Sequence, residues 1–326
     1  MVLTLGLLLL FAVIFLANRA AARPDASLGR FFHWLLLLSN LPLYFMGLAL
    51  AVLPDSFWVT FTKAQTMPFQ PQAGAAVLLA IALWGTLVSL PPARRALARF
   101  LPINPASPVH TLALVMAGYL GGNTLLTLSQ GGLEGLAEAA EAASVVTFVS
   151  SELLLVAVAA AGVGLFSRRS GQQVVARLGL TALRPRQLVA GMGWVAVMVV
   201  TQGVVGAAWF IWQPQQAELL ESVNTLLLQD IDSLGEWFAL ALAAAVGEEI
   251  LFRGALQPVL GLLPTAALFA LAHVQYGLTP VTVFVLILGL VLGLIRRRWN
   301  TSLAIVVHFS YNFTLGLLSL LVAAVT

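Results

Sequence analysis

The chain has no cysteine among its 326 residues, and only 9% of them carry a formal charge. The first absence removes disulfides, thiolate nucleophiles and thiolate zinc sites from consideration. The second argues against a soluble protein. Soluble domains carry about 25% charged residues, whereas here 60% of the residues are hydrophobic. The longest polar connections are only about 20 residues, too short for a soluble domain. The formal net charge of +3 comes from short arginine clusters beside apolar runs. That distribution is a topology signal and not a nucleic-acid patch, so no nucleic-acid partner is expected.

What is present is apolar sequence in long runs. Stretches long enough to span a bilayer, about 20 residues each, fall near 2–18, 32–53, 74–91, 108–129, 144–167, 188–212, 236–260, 279–295 and 301–325. A shorter run, roughly 264–277, is bounded by Pro264 and Gly277. Counting it predicts an all-α, polytopic helical bundle of about ten transmembrane spans. Basic residues follow the odd-numbered spans: Arg19, Arg23 and Arg30; Arg94, Arg95 and Arg99; Arg168, Arg169, Arg177, Arg184 and Arg186; Arg296, Arg297 and Arg298. These are 14 of the 16 lysines and arginines, and acidic residues from Asp55 to Glu236 follow the even spans. The positive-inside rule then predicts a multi-pass cell-membrane protein with arginine loops in the cytoplasm and both termini outside. Met1 to Asn18 lacks a basic leader, which reads as an N-out anchor and not a signal peptide.

Smaller features have expectations of their own. Leu219, Leu220, Val223, Leu226, Leu227, Ile231 and Leu234 recur at helical spacing, so 217–234 reads as an amphipathic surface helix. Gly131 to Ala143 reads as a shorter one, and 168–187 as a connection between two halves. Trp209, Trp212 and Trp237 fit an outer aromatic belt, and Trp34 and Trp299 an inner one.

The residues suited to chemistry concentrate after position 247. Glu248, Glu249 and Arg253 interrupt an apolar run, and ionisable groups at bilayer depth cost at least ~2.5 kcal/mol each. In a helix, Glu249 and Arg253 share a face and can pair, while Glu248 points about 100° away with its carboxylate free. Phe269 and His273 are one turn apart, as are His308 and Asn312. Three helices can therefore bring a carboxylate, two imidazoles and a carboxamide to one cavity. That set suits amide hydrolysis: Glu248 as general base on water, His273 sharing its proton or donating to the leaving nitrogen, His308 and Asn312 as oxyanion donors. No serine or cysteine stands out as a nucleophile. Glu248, His273 and His308 also form a two-histidine, one-carboxylate set able to hold zinc. A mechanism without metal is favoured, because a ligating Glu248 is no longer the base. Glu152, after Ser150 and Ser151, is a buried acid in no motif.

The patterns Glu248-Glu249-x-x-x-Arg253, Phe269-x-x-x-His273 and His308-x-x-x-Asn312 resemble, in order, the three signature motifs of the CPBP family. That family comprises the type II CAAX prenyl endopeptidases and the bacteriocin-processing or Abi proteins. The resemblance covers about residues 188–326, and so divides the chain into an accessory bundle (1–187, about five spans) and a catalytic core (188–326). It implies an intramembrane endopeptidase, often labelled a metalloprotease. Glu248 would be the base with His273 beside it, His308 and Asn312 the oxyanion donors, and Glu249 and Arg253 the support. The implied partners are the bilayer and a membrane-associated peptide, including lipidated C-terminal ones. The rivals are a proton-coupled transporter using Glu248, His273 and His308 as a relay, and a non-catalytic membrane scaffold or immunity protein. A transporter should show internal repeats, and none is visible.

Overall fold

The computed structural model describes residues 2–22, 26–62 and 70–325; Arg23, one of the residues used for topology, lies outside them. The described residues form helices and no strand. In order they are α1 (Val2–Ala22), α2 (Ala26–Leu38), α3 (Leu41–Val52), α4 (Asp55–Thr62), α5 (Pro71–Ser89), α6 (Pro91–Leu97), α7 (Pro108–Leu128), α8 (Gly132–Ala139) and α9 (Val145–Gly162). There follow α10 (Gly171–Leu178), α11 (Pro185–Trp212), α12 (Pro214–Leu228) and α13 (Leu234–Glu248). A π-helix (Glu249–Leu256) then leads into α14 (Gln257–Leu260), α15 (Leu262–Ala272), a 3-10 turn (Val274–Tyr276), α16 (Pro280–Arg298) and α17 (Thr301–Ala323). Prolines open many of these helices, where a missing N–H costs nothing. Ser233 and Glu236 close a reciprocal capping box on α13, and the Asn300 side chain accepts from the Leu303 amide at the start of α17.

Eight segments are long and apolar enough to cross a membrane: most of α1, the α2–α3 pair, α5, α7, α9, α11, α16 and α17. Their outer faces expose large apolar side chains such as Phe45, Val52, Val189, Ile211 and Leu321. The buried set includes Asn18, Asn40, Glu152, Glu249, Arg253 and His308. Apolar outside and polar inside is the arrangement that lipid demands. The protein is a multi-pass, all-α membrane protein.

The expected run 236–260 is a continuous helical path, α13 through α14, whose winding changes at Glu249. The tenth expected span is corrected: α15 has 11 residues, ~16 Å at 1.5 Å per residue, about half the ~30 Å hydrocarbon core. It ends at Ala272, so His273 sits in a turn and not inside a spanning helix. The reversal of direction survives. Gly289 lies against Ala266 and Gly293 against Leu262, so α15 and α16 run antiparallel and Arg296 to Arg298 return to the end where α15 began. The other arginine clusters meet there too. Asn18 at the end of α1 bonds Arg168, Pro102 lies on Gly261, and Arg296 lies on Gly179.

The amphipathic 217–234 stretch is realised as α12, which buries Leu220 and Val223, and the 131–143 stretch as α8. The connecting segment is anchored: Gly179 O accepts from the Thr301 amide, and Leu178 O from the Thr301 hydroxyl at 2.6 Å. Trp212 and Trp34 are exposed as an aromatic belt requires, but Trp209 and Trp237 are buried in the bundle. Trp237 packs where the missing Cβ of Gly316 leaves room. The main hydrophobic cluster draws on both stretches of the chain, from Ile14 to Tyr311.

Candidate active site

Pro258 sits just past the π-helix and has no N–H to give the carbonyl of Gly254, four residues earlier; its ring also crowds that carbonyl. The winding over Glu249–Leu256 widens to π, and the Gly254 carbonyl accepts instead from Arg177 Nη1 at 3.2 Å. π-turns inside helices gather at functional sites, and this one carries Glu249 and Arg253. It is pinned to α16 twice. Arg253 Nη2 donates to Gly289 O at 3.3 Å, and Gln257 Nε2 donates to Gly293 O at 2.9 Å. Glycine at both positions lets the helices approach.

Glu249 and Arg253 form the ion pair expected of them, at 2.9 Å, with essentially no exposure. The same Glu249 oxygen accepts from His308 Nδ1 at 2.9 Å. A carboxylate only accepts here, so Nδ1 carries the proton and Nε2 faces away from Glu249. The Arg253 guanidinium lies 4.0 Å from the centre of the Phe269 ring, a cation–π contact. Phe269 is fully buried and touches both imidazoles, with ring centres 4.7 Å from His273 and 6.0 Å from His308. Its place in the second pattern is thus the shared floor under the charged groups.

Glu248 takes the other direction, as its position one residue before Glu249 requires. Its Oε1 lies 3.7 Å from His273 Nε2, and its Oε2 3.9 Å from His308 Nε2. Both separations exceed a direct hydrogen bond. His273 Nδ1 donates to the Phe269 carbonyl at 2.8 Å, which directs its Nε2 toward Glu248. Tyr276 stacks on His273 at 5.9 Å between centres, a neighbour that no sequence pattern indicated. The carboxylate therefore faces two imidazole Nε2 atoms, each turned toward it by a separate bond at Nδ1. Asn312 lies one turn beyond His308 on α17, half-buried, and has no hydrogen bond to the other groups.

Glu152 is the residue whose position the sequence concealed. Its carboxylate packs on Gly247, where an added Cβ would come within 2.2 Å of Oε2. It is buried, and that oxygen is unpartnered. Nothing in the motifs relates α9 to α13, so only packing puts a third carboxylate beside Glu248.

Among the described residues no three of His, Cys, Asp or Glu are grouped so as to hold a metal ion. Glu248, His273 and His308 nonetheless turn one carboxylate and two Nε2 atoms toward one another, the donor types zinc takes. A cleft of about 400 Å³ lined by Gln257, Arg296 and Arg297 reaches Arg253 from the arginine-bearing end.

Fold and site together define an all-α membrane protein with a carboxylate–imidazole cluster buried among its helices. Residues 230–314 match the Rce1-like family, described as type II CAAX prenyl endopeptidase Rce1-like. The matched stretch contains Glu248, Glu249, Arg253, Phe269, His273, His308 and Asn312, the residues on which the resemblance to the CPBP family rests. No curated protein and no solved structure gives a significant match.

Proposed function

We propose that the protein is an intramembrane endopeptidase in which Glu248 activates water against a peptide bond. The observation that carries this reading is the Glu248 carboxylate set 3.7 Å and 3.9 Å from the Nε2 atoms of His273 and His308. A water between them loses its proton to Glu248 as its oxygen attacks the carbonyl carbon. The oxyanion so formed is met by Asn312 Nδ2–H and by His308, whose ring Glu249 holds in place at Nδ1. The proton passes through His273 to the leaving nitrogen, the C–N bond breaks, and a carboxylate and an amine leave. Glu249 and Arg253 hold His308 and the π-helix in place. In this reading residues 188–326 do the chemistry and 1–187 buttress them. The family match supports a CAAX-type substrate, a C-terminal peptide presented at the membrane and open to lipidation. The arginine-bearing end faces the cytoplasm.

Glu248→Gln keeps the size of the side chain and removes the base. Peptide cleavage by the purified protein should fall about 10²–10⁴-fold with the unfolding temperature unchanged. Full activity in that variant would sink the assignment. A zinc chelator should leave the wild-type rate intact, and loss restored by added zinc would return Glu248, His273 and His308 to the role of ligands. Glu152 beside Gly247 is the observation that favours the transporter reading, since it extends the buried acids toward α9. Proton flux into protein-containing vesicles without any peptide cleavage would select that reading.

A further inference from the structure

A second cavity, of about 320 Å³, lies between α1, α7, α9 and the π-helix, away from Glu248. At one end it is lined by Arg168, Arg169, Arg177 and His110. From there it runs along apolar wall to Leu10 on α1 and Leu120 on α7. His110 and Leu120 are ten residues apart on one helix, so the apolar part extends ~15 Å into the bundle. The cavity is therefore amphiphilic along its length, with positive charge at the loop end and hydrocarbon toward the interior.

The three arginines have no carboxylate within ion-pair distance among the described residues. Each uses part of its guanidinium on a neutral acceptor. Arg168 Nε donates to Asn18 Oδ1 at 2.8 Å, Arg169 Nη1 donates to the Val163 carbonyl, and Arg177 Nη1 donates to the Gly254 carbonyl at 3.2 Å. These bonds orient the guanidinium groups and leave further N–H donors on each. Burial first, and then the neighbouring arginines, pull Arg168 and Arg177 below the usual guanidinium range, a sign of uncompensated like charge. Gathering three such charges beside an apolar cavity is costly unless an anion completes the set. Basic pockets between transmembrane helices are a recurrent way to hold anionic lipid head groups.

We propose that this cavity binds an anionic membrane lipid, with its phosphate among Arg168, Arg169 and Arg177 and an acyl chain along the wall between Leu10 and Leu120. Occupancy bears on the site already described through the π-helix. Leu251 and Ala255 line the cavity from that element, and Arg177 holds its Gly254 carbonyl. The lipid thus fastens the loop-end arginines to the helix that carries Glu249 and Arg253.

The full-length, delipidated protein should be tested for thermal unfolding with phosphatidylglycerol, phosphatidylcholine or inorganic phosphate added. Phosphatidylglycerol should raise the midpoint by several degrees, and neither of the others should match it. An equal shift from phosphatidylcholine would overturn the anionic head group. An equal shift from inorganic phosphate would overturn the acyl half and leave a free-anion site. Arg168→Gln/Arg169→Gln removes two cations, and Met116→Trp fills the apolar wall without touching the charges. Each should lose the shift, and retention in either overturns the proposal. If the arginine variant does not fold, native mass spectrometry of Met116→Trp decides. Loss of co-purifying phosphatidylglycerol relative to wild type is expected, and equal retention overturns the site.

Discussion

One oxygen of Glu249 accepts from two donors at once, Arg253 and the Nδ1–H of His308, both at 2.9 Å and all three groups buried. Such a centre is worth little against an apolar replacement of the whole set, but removing one member strands the others. Glu249→Ala should therefore lower stability by about 3–5 kcal/mol, read as a fall in unfolding temperature in detergent. Cleavage should be impaired at temperatures where the variant is still folded, because His308 loses the bond that orients it. A variant as stable as wild type would mean that Arg253 and His308 have other partners. Glu248 is the contrast, since it lies on the same helical path but ends in longer, open contacts. Its substitution should read out in rate and not in stability.

At the scale of elements, the device that builds the site is the change of winding at Glu249. Pro258 denies Gly254 its helical donor, the turn widens, and the pins from Arg253 and Gln257 fasten the result to Gly289 and Gly293. The approach of α13 to α9 is the other close fit. Gly247→Ala would place a methyl 2.8 Å from the backbone oxygen of Glu152 as well as against its carboxylate. The backbone cannot swing aside, so a loss of about 1–3 kcal/mol is expected from overpacking, again measured by thermal unfolding. In a double-mutant cycle with Glu152→Ala only part of that loss should be recovered, because the backbone contact remains. Complete recovery would show that the carboxylate alone sets the fit.

For the whole molecule, the arginine clusters of α1, α6, α10 and α16 converge on one end, and orientation in the membrane is a single question. The absence of native cysteine makes the test direct. Gln257, although near that end, is buried and bonded to Gly293 O, so an exposed site serves better. Arg298→Cys at the arginine end and Glu218→Cys on α12 are both exposed. An impermeant thiol reagent should label Glu218→Cys in intact cells and Arg298→Cys only in inverted vesicles. Reversed labelling would invert the topology, and labelling of both from one side would overturn the crossing number between them.

Composition and periodicity were enough to determine the membrane class, the helical architecture and most of the spans, because exclusion of charge from lipid acts on every stretch of sequence locally. The pairing of Glu249 with Arg253, and the opposite heading of Glu248, were also legible, since both follow from helical spacing within one element. Tertiary structure alone decided the rest. It shortened the 264–277 run to a half-span with His273 in the turn, buried Trp209 and Trp237, set Glu152 against Gly247, and brought Arg168, Arg169 and Arg177 around one cavity. Each of these depends on contacts between residues far apart in the chain. Hydrophobic pattern reports which side of a helix avoids water or charge, but not which neighbour that side will meet.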